Sequence, residues 1–306
     1  MVTYADRPWT KSYDEGVPTT LEPYPNKTLF DLLDEVVQQY PDRTACIALL
    51  ALPLFGRVHQ SITYRELGEQ SDKLAAALAA MGVKKGDRVA LDLVNSTQFI
   101  VSFFGVVKAG GIVVALNPTF PPAKKAEQLN DSGAEVAIVM SLFYGGVNSI
   151  RDATPLKRII VTNIKECFPG IGKFLFTVAR ERQDGHRVEE LREGDVWLQD
   201  LFARYTPQQR PKVDVNPRED TAIFQYTGGT TGIPKAARSP HSALVANAYQ
   251  MRHWLTKEET GEPERFLAAI PLFHVFGMVA VMTYAVSMGA AMIMIPNARD
   301  SDDLLG

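Results

Sequence analysis

Tyr226-Thr227-Gly228-Gly229-Thr230-Thr231-Gly232-Ile233-Pro234-Lys235 is the most informative run in the chain. It follows a strand-like segment, 221–227, rich in β-branched and aromatic residues, and it precedes a helical segment by several residues. Three glycines permit backbone angles closed to other residues and let N–H groups approach an anion closely. Thr227, Thr230 and Thr231 add hydroxyl donors, Lys235 adds a positive charge, and Pro234 stiffens the exit. A triphosphate needs many donors and charge neutralisation in a small volume. A glycine-rich turn between strand and helix is the plainer alternative, but a turn has no need of three hydroxyls and a lysine. The run is not a Walker A loop, which requires Gly-Lys-Ser/Thr in succession. Here Ile233 and Pro234 separate Gly232 from Lys235, and Ala236 follows.

Strands and helices alternate on the amino-terminal side of this run. Thr28 suits the N-cap of a helix over 29–40, with Phe30, Leu33, Val37 and Tyr40 on one face. Thr63 opens a second helix, with Glu66 at capping-box spacing and Gly82 at its close. The spacing then predicts strands over 87–93, 111–116, 136–140 and 158–162, and helices over 97–109 and 123–132. This rhythm implies an α/β fold, a mostly parallel sheet covered by helices on both faces. Residues 141–215 are less regular and include a basic, helical run over 173–182. A polar stretch over 208–217 reads as a linker. Beyond the glycine-rich run, 242–255 reads as a helix.

From Leu267 to Pro296 the only ionisable side chain is His274. Hydropathy alone would allow a membrane span here. Pro271 and Gly289 divide the stretch, which favours a buried strand (266–270), a helix (275–288) and a second strand (291–295).

Composition narrows the function classes. The 306 residues are 46% hydrophobic and 22% charged, the balance of a globular protein with room for a sizeable core. A formal charge of −3, with no basic stripe, argues against nucleic acid as a partner. Two cysteines, Cys46 and Cys167, make neither a disulfide framework nor a zinc site. Residues 1–16 have no apolar run like that of a signal peptide, so a cytoplasmic location is the expectation.

The run over 226–235 resembles the signature phosphate loop of the adenylate-forming (AMP-binding) superfamily, which includes acyl-CoA synthetases, luciferases and peptide-synthetase adenylation domains. The family usually has glycine after the lysine, where this chain has Ala236. Ile270-Pro271-Leu272-Phe273-His274-Val275-Phe276-Gly277 is similar to the family's next core motif. The resemblance puts His274 near the acyl and adenylate site; a histidine capping a helix start is the alternative. Leu116-Asn117-Pro118, the stretch from Gln128 to Ala134, and the phrase from Trp9 to Tyr24 resemble bacterial long-chain fatty-acyl-CoA ligases.

The resemblance implies two mostly parallel β-sheets flanked by helices, the second left incomplete by truncation. It implies an incomplete AMP-binding domain over 1–306, split at about 215/216 into a first subdomain and the start of a second. A carboxyl-terminal lid domain, a Thr-Glu adenine-side motif and the ribose-binding aspartate would lie beyond Gly306. The implied reaction joins a carboxylic acid, a fatty acid by the resemblance, to ATP and then to coenzyme A. Thr227, Gly228, Gly229, Thr230, Thr231, Gly232 and Lys235 would hold phosphates, and Lys235 and His274 would serve the chemistry. Magnesium would bridge phosphate oxygens, and no residue is assigned as a protein metal ligand. The expected fragment would not complete thioester formation alone. An aryl- or amino-acid-adenylating enzyme and a non-catalytic nucleotide-binding remnant are the alternatives. No amphipathic basic helix identifies a membrane surface, so peripheral membrane contact and oligomeric state stay open.

Overall fold

Thr28 and Thr63 both start helices, each through a reciprocal pair of hydrogen bonds. The computed structural model describes residues 4–52, 56–227, 235–255 and 263–296. Thr28 caps α1 (Leu29–Gln39), exchanging bonds with Asp31. A hairpin follows, β1 (Thr44–Leu52) and β2 (Gly56–Thr63). Thr63 then caps α2 (Tyr64–Ala80), its hydroxyl accepting from the Glu66 N–H at 3.2 Å while the Glu66 carboxylate accepts from the Thr63 N–H at 2.7 Å. These bonds satisfy donors that a helix start leaves orphaned.

The next units follow the expected rhythm. They are β3 (Arg88–Asp92), α3 (Thr97–Lys108), β4 (Ile112–Ala115), α4 (Pro122–Ser132), β5 (Val136–Met140), α5 (Ser141–Ser149) and β6 (Arg158–Thr162). The basic run forms α6 (Gly170–Ala179), three residues earlier than its charges suggest, because Pro169 supplies the extended N-cap. Short β7 (Val196–Trp197) and α7 (Leu198–Arg204) follow. Next come β8 (Thr221–Thr227), β9 (Lys235–Pro240), α8 (His241–Leu255) and β10 (Arg265–Ala268). A helical segment is α over Val275–Gly277, π over Met278–Thr283 and α again over Tyr284–Met288. Gly289, with φ of 65°, ends it before β11 (Ala291–Met294).

Two mostly parallel sheets result. One has seven strands in the order β7-β6-β5-β3-β4-β8-β9, antiparallel only at β8–β9. The other has the order β10-β11-β1-β2, antiparallel only at β1–β2. Each sheet draws strands from both sides of residue 215. Alternate residues of β3, β4 and β5 enter different cores: Leu91, Val113 and Ile138 on one face, Ala90, Val114 and Ala137 on the other. That is the alternation of a sheet covered on both sides.

All twelve residues of α3 are buried, and the helix touches β3 and β4 of one sheet and β1 of the other. Its apolar run, with up to three aromatic or β-branched residues in any four, suits a helix with no wet face. Lys108 at its end is buried and bonds Asp34 at 3.0 Å and Asp72 at 2.7 Å. Arg210, from the polar stretch over 208–217, reaches the same two carboxylates at 2.7 and 3.1 Å. This four-charge network ties α1, α2 and α3 to the segment leading into β8.

The apolar stretch after 266 is a strand–helix–strand unit, with β10 and β11 parallel. Among the described residues no helix is long and apolar enough to cross a membrane.

Candidate functional site

β8 and β9 place Thr227 opposite Lys235. The two residues are register partners, and the Thr227 hydroxyl lies 3.4 Å from the Lys235 carbonyl oxygen, to which it donates. Both are exposed, and Lys235 makes no ion pair among the described residues. A hydroxyl and a lysine therefore stand at the two ends of one glycine-rich segment. Gly228, Gly229, Thr230, Thr231 and Gly232 lie outside the described residues.

The strand beneath is firmly held. The Tyr226 hydroxyl donates to the Asp131 carboxylate at 2.6 Å and also lies 3.1 Å from the Gln128 carbonyl oxygen. Burial, then the Asp131 charge, pushes this phenol well above its ordinary pKa, so it stays a donor. Asp131 belongs to α4, whose last carbonyls receive the Arg88 guanidinium: Nε to Ser132 at 2.7 Å and Nη2 to Gly133 at 3.1 Å. A cation at a helix C-terminus is the favourable sign for its dipole. The stretch from Gln128 to Ala134 thus anchors β8 as well as closing a helix.

Gln225 joins β8 to the turn that carries His274. Its Nε2 donates to the Phe273 carbonyl at 3.3 Å. Its Oε1 is buried and has no partner among the described residues. Gln225 therefore ties β8 to that turn and leaves one buried acceptor unmatched among the described residues.

His274 is exposed and is the N-cap of the short helical turn Val275–Gly277. Its Nδ1 accepts from the Phe276 N–H at 3.3 Å. That bond requires Nδ1 unprotonated, which directs the other ring nitrogen outward as an N–H donor in the neutral ring. The turn is tight: a Cβ on Gly277 would collide with the Pro271 and Ile270 carbonyl oxygens. Asn95, buried just before α3, clamps the same turn from the other side. Its Nδ2 donates to the Ala268 and Ile270 carbonyls at 2.8 and 3.0 Å, and its Oδ1 accepts from the Leu272 N–H at 2.8 Å. This places the His274 turn beyond the carboxyl end of β3, the side of a parallel sheet where ligands bind.

Neither Asn95 nor Gln225 carries a sequence signal, since their partners are far away in the chain. A separate cavity of about 310 Å³ is lined by Gln60, Glu66, Thr97, Gln98, Cys167 and Gln199, among others. Thr227, Lys235 and His274 do not line it. Both cysteines are buried; burial raises both thiols, Cys167 to about 11, so they read as inert. Among the described residues no group of three or more His, Cys, Asp or Glu could hold a metal ion.

The family model of the AMP-binding enzymes matches residues 33–306. The long-chain-fatty-acid--CoA ligase of Bacillus subtilis (strain 168) is 32% identical over 298 residues, covering 95% of this chain and 50% of that protein. The chain spans about half the length of the curated relatives it matches. Among solved structures, a long-chain-fatty-acid-CoA ligase (FadD1) from Archaeoglobus fulgidus superposes with a TM-score of 0.73 at 24% identity, covering 95% of this chain and 51% of that one. The anthranilate CoA ligase AuaEII gives 0.72 at 24% identity, with coverages of 93% and 48%. These two likenesses bear on the fold alone.

Proposed function

This chain belongs to the AMP-binding enzyme family, and from that premise we propose that it serves ATP-dependent activation of a carboxylic acid. The acid is a fatty acid, in line with the name of the curated relatives. In the first step the carboxylate attacks the α-phosphorus of ATP and pyrophosphate leaves. In the second, the thiol of coenzyme A attacks the acyl carbon and AMP leaves. No protein nucleophile is needed, so the chain's task is to hold two anions together and neutralise their charge.

The observation that carries this reading is the pairing of Thr227 with Lys235, which has no ion pair among the described residues, on either side of the Gly-Gly-Thr-Thr-Gly segment. Lys235 would draw the phosphates in, and the hydroxyls of Thr227, Thr230 and Thr231 would orient them. Gly228, Gly229 and Gly232 would let backbone N–H groups approach. Magnesium would ride on the phosphate oxygens, as it commonly does, rather than in a protein cage. His274 would present its outward N–H at the acyl side of the site. Because both sheets take strands from either side of residue 215, two subdomains would be interleaved in sequence rather than divided there, and a lid domain would complete the site. A hydrocarbon-chain substrate partitions into bilayers, so peripheral contact with a membrane accompanies the reading.

Titration of the 306-residue chain with magnesium ATP tests the binding step. Lys235→Ala should weaken binding by about tenfold or more, the scale of one charge-assisted phosphate contact. Equal affinity in wild type and variant would refute the assignment. Offering fatty and aryl acids in turn in an ATP–pyrophosphate exchange assay, run on this chain and on any longer gene product, tests the acid class and whether this chain acts alone.

A further inference from the structure

The cavity of about 310 Å³ lies away from Thr227, Lys235 and His274. The end of β2, the starts of α2 and α3, the turn over 166–170 and α7 enclose it. Thr97, Gln98, Cys167 and Leu198 form a buried floor, while Gln60, Glu66 and Gly170 are exposed at the rim and leave a way in from solvent. Gln98 is held in place: its Nε2 donates to the Asn163 carbonyl at 3.0 Å and its Oε1 accepts from the Cys167 thiol at 2.6 Å. Three other glutamines reach the cavity with their amides largely unengaged. Gln60 has only a 3.4 Å approach to the Ser61 carbonyl, Gln199 a 3.5 Å approach to the Thr162 hydroxyl, and the Gln70 side chain bonds nothing among the described residues. Four of the chain's twelve glutamines thus converge on one cavity.

Charge decides what such a cavity accepts. Among the residues that line it none is Lys, Arg or His. Two are carboxylates, and both already bond other donors: Glu66 caps α2, and Glu166 pairs with Lys173. Phosphates and carboxylates therefore find no neutralising partner here and meet like charges, which excludes ATP, coenzyme A and a free acid. Each glutamine amide instead offers a donor beside an acceptor, the pair of groups that matches a ring amide or imide edge by two hydrogen bonds. Phe168 and Phe202 add aromatic surface, on which a flat heterocycle stacks. A volume at the lower end of ligand pockets suits one small ring system.

We propose that this cavity is a second ligand site, one that takes a small uncharged heterocycle with an amide or imide edge, as a free nucleobase or a nicotinamide ring has. Gln70 and Gln199 read that edge, and Phe168 and Phe202 hold the ring. The cavity shares no residue with the phosphate loop or the His274 turn, so its ligand binds alongside the substrates of the proposed reaction and does not compete with them. The inference stands on the lining and charge of the cavity and needs no reading of the activity.

Titration of the isotope-labelled 306-residue chain with nicotinamide and with uracil, followed by the NMR signals of its side-chain amides, tests the proposal. At least one ring should bind and move the Gln70 and Gln199 signals ahead of the rest; which one does so tells a pyridine carboxamide from a nucleobase. Gln70→Met and Gln199→Met should each weaken binding several-fold, and together about tenfold or more, the scale of two neutral hydrogen bonds. Both side chains are half-buried, and circular dichroism checks folding; if the double variant does not fold, the single variants and the wild-type shifts decide. The affinity should be the same with saturating magnesium ATP present and in Lys235→Ala, so this result and the ATP titration fail independently. No binding by either ring, equal binding by wild type and variants, or displacement by ATP would overturn the proposal. So would tighter binding of the cationic form of nicotinamide, methylated on its ring nitrogen, since that would assign the cavity to a cation.

Discussion

Lys125 donates to Asp92 at 2.7 Å across the gap between α4 and the carboxyl end of β3, with the two side chains only 5% and 0% exposed. Lys125 also sits over the Phe143 ring, 4.6 Å from its centroid. The other Asp92 oxygen is buried without a partner among the described residues. Burial pushes the Asp92 carboxyl up to about 6 despite the pull of Lys125. A buried pair of this kind is held together by mutual need more than by net gain.

The Asp92 pair predicts an unusual pH response. Its native pKa of about 6 lies above the 3.8 of a free carboxyl, so the native state binds this proton more tightly than the unfolded chain. Stability from this group therefore rises as pH falls from about 6 toward about 4, by roughly 3 kcal/mol at most. Lys125→Met should cost about 3–5 kcal/mol at neutral pH, because it strands a buried carboxylate. The cost should shrink near pH 5 as the carboxyl takes up a proton. Urea denaturation of both proteins at the two pH values measures this; an equal loss at both would mean that Lys125 acts only through packing.

His241 predicts the opposite slope in an overlapping window. Its Nδ1 accepts from the Leu29 N–H at 3.3 Å, and burial lowers the imidazole to about 4, with Asp220 and Asp31 pulling weakly upward. The native pKa lies below the unfolded 6.5. The stability it protects is complete above about pH 6.5 and is lost as pH falls toward about 4, by roughly 3 kcal/mol. His241→Gln keeps an acceptor for Leu29 and removes the titration. Its thermal stability should fall less between those pH values than that of wild type, and parallel profiles would contradict the assignment.

Asn95→Ala removes three bonds at once and leaves the Ala268 and Ile270 carbonyls and the Leu272 N–H without their partner. A loss of about 3 kcal/mol is expected, the scale of buried polar groups left unpaired. The Leu272 amide should exchange with solvent much faster than in wild type, while amides in β5 should change only as global stability does. Leu272 exchange as slow as in wild type would show that Asn95 does not hold the turn.

Local chemistry explains which parts were readable in advance. Thr28, Thr63 and Gly133 announce helix ends because a cap is built within three or four residues. β5, β6 and β8 match their expected bounds because buried parallel strands are short apolar runs between turn residues. The hairpin of β1 and β2 lies outside the strands that the sequence predicts. β9, Lys-Ala-Ala-Arg-Ser-Pro, has no strand-like alternation and owes its conformation to pairing with β8. At the site, glycines and threonines mark the segment itself. Asn95 and Gln225 carry no mark, since an amide becomes a clamp only when 268–273 folds over it. Asp92 and Lys125 likewise look like ordinary surface charges until burial joins them.

The parallel pairing of β1 with β11 also constrains how the chain is made. Cys46 must wait for Met292 before its strand has both neighbours. At about 5–20 residues per second on the ribosome, that interval is on the order of tens of seconds. Meanwhile β1, paired only with β2, emerges beside α3, a helix buried on every side in the finished fold. The nascent chain therefore spends that interval with one edge of β1 unpaired, the condition that invites aggregation or chaperone engagement.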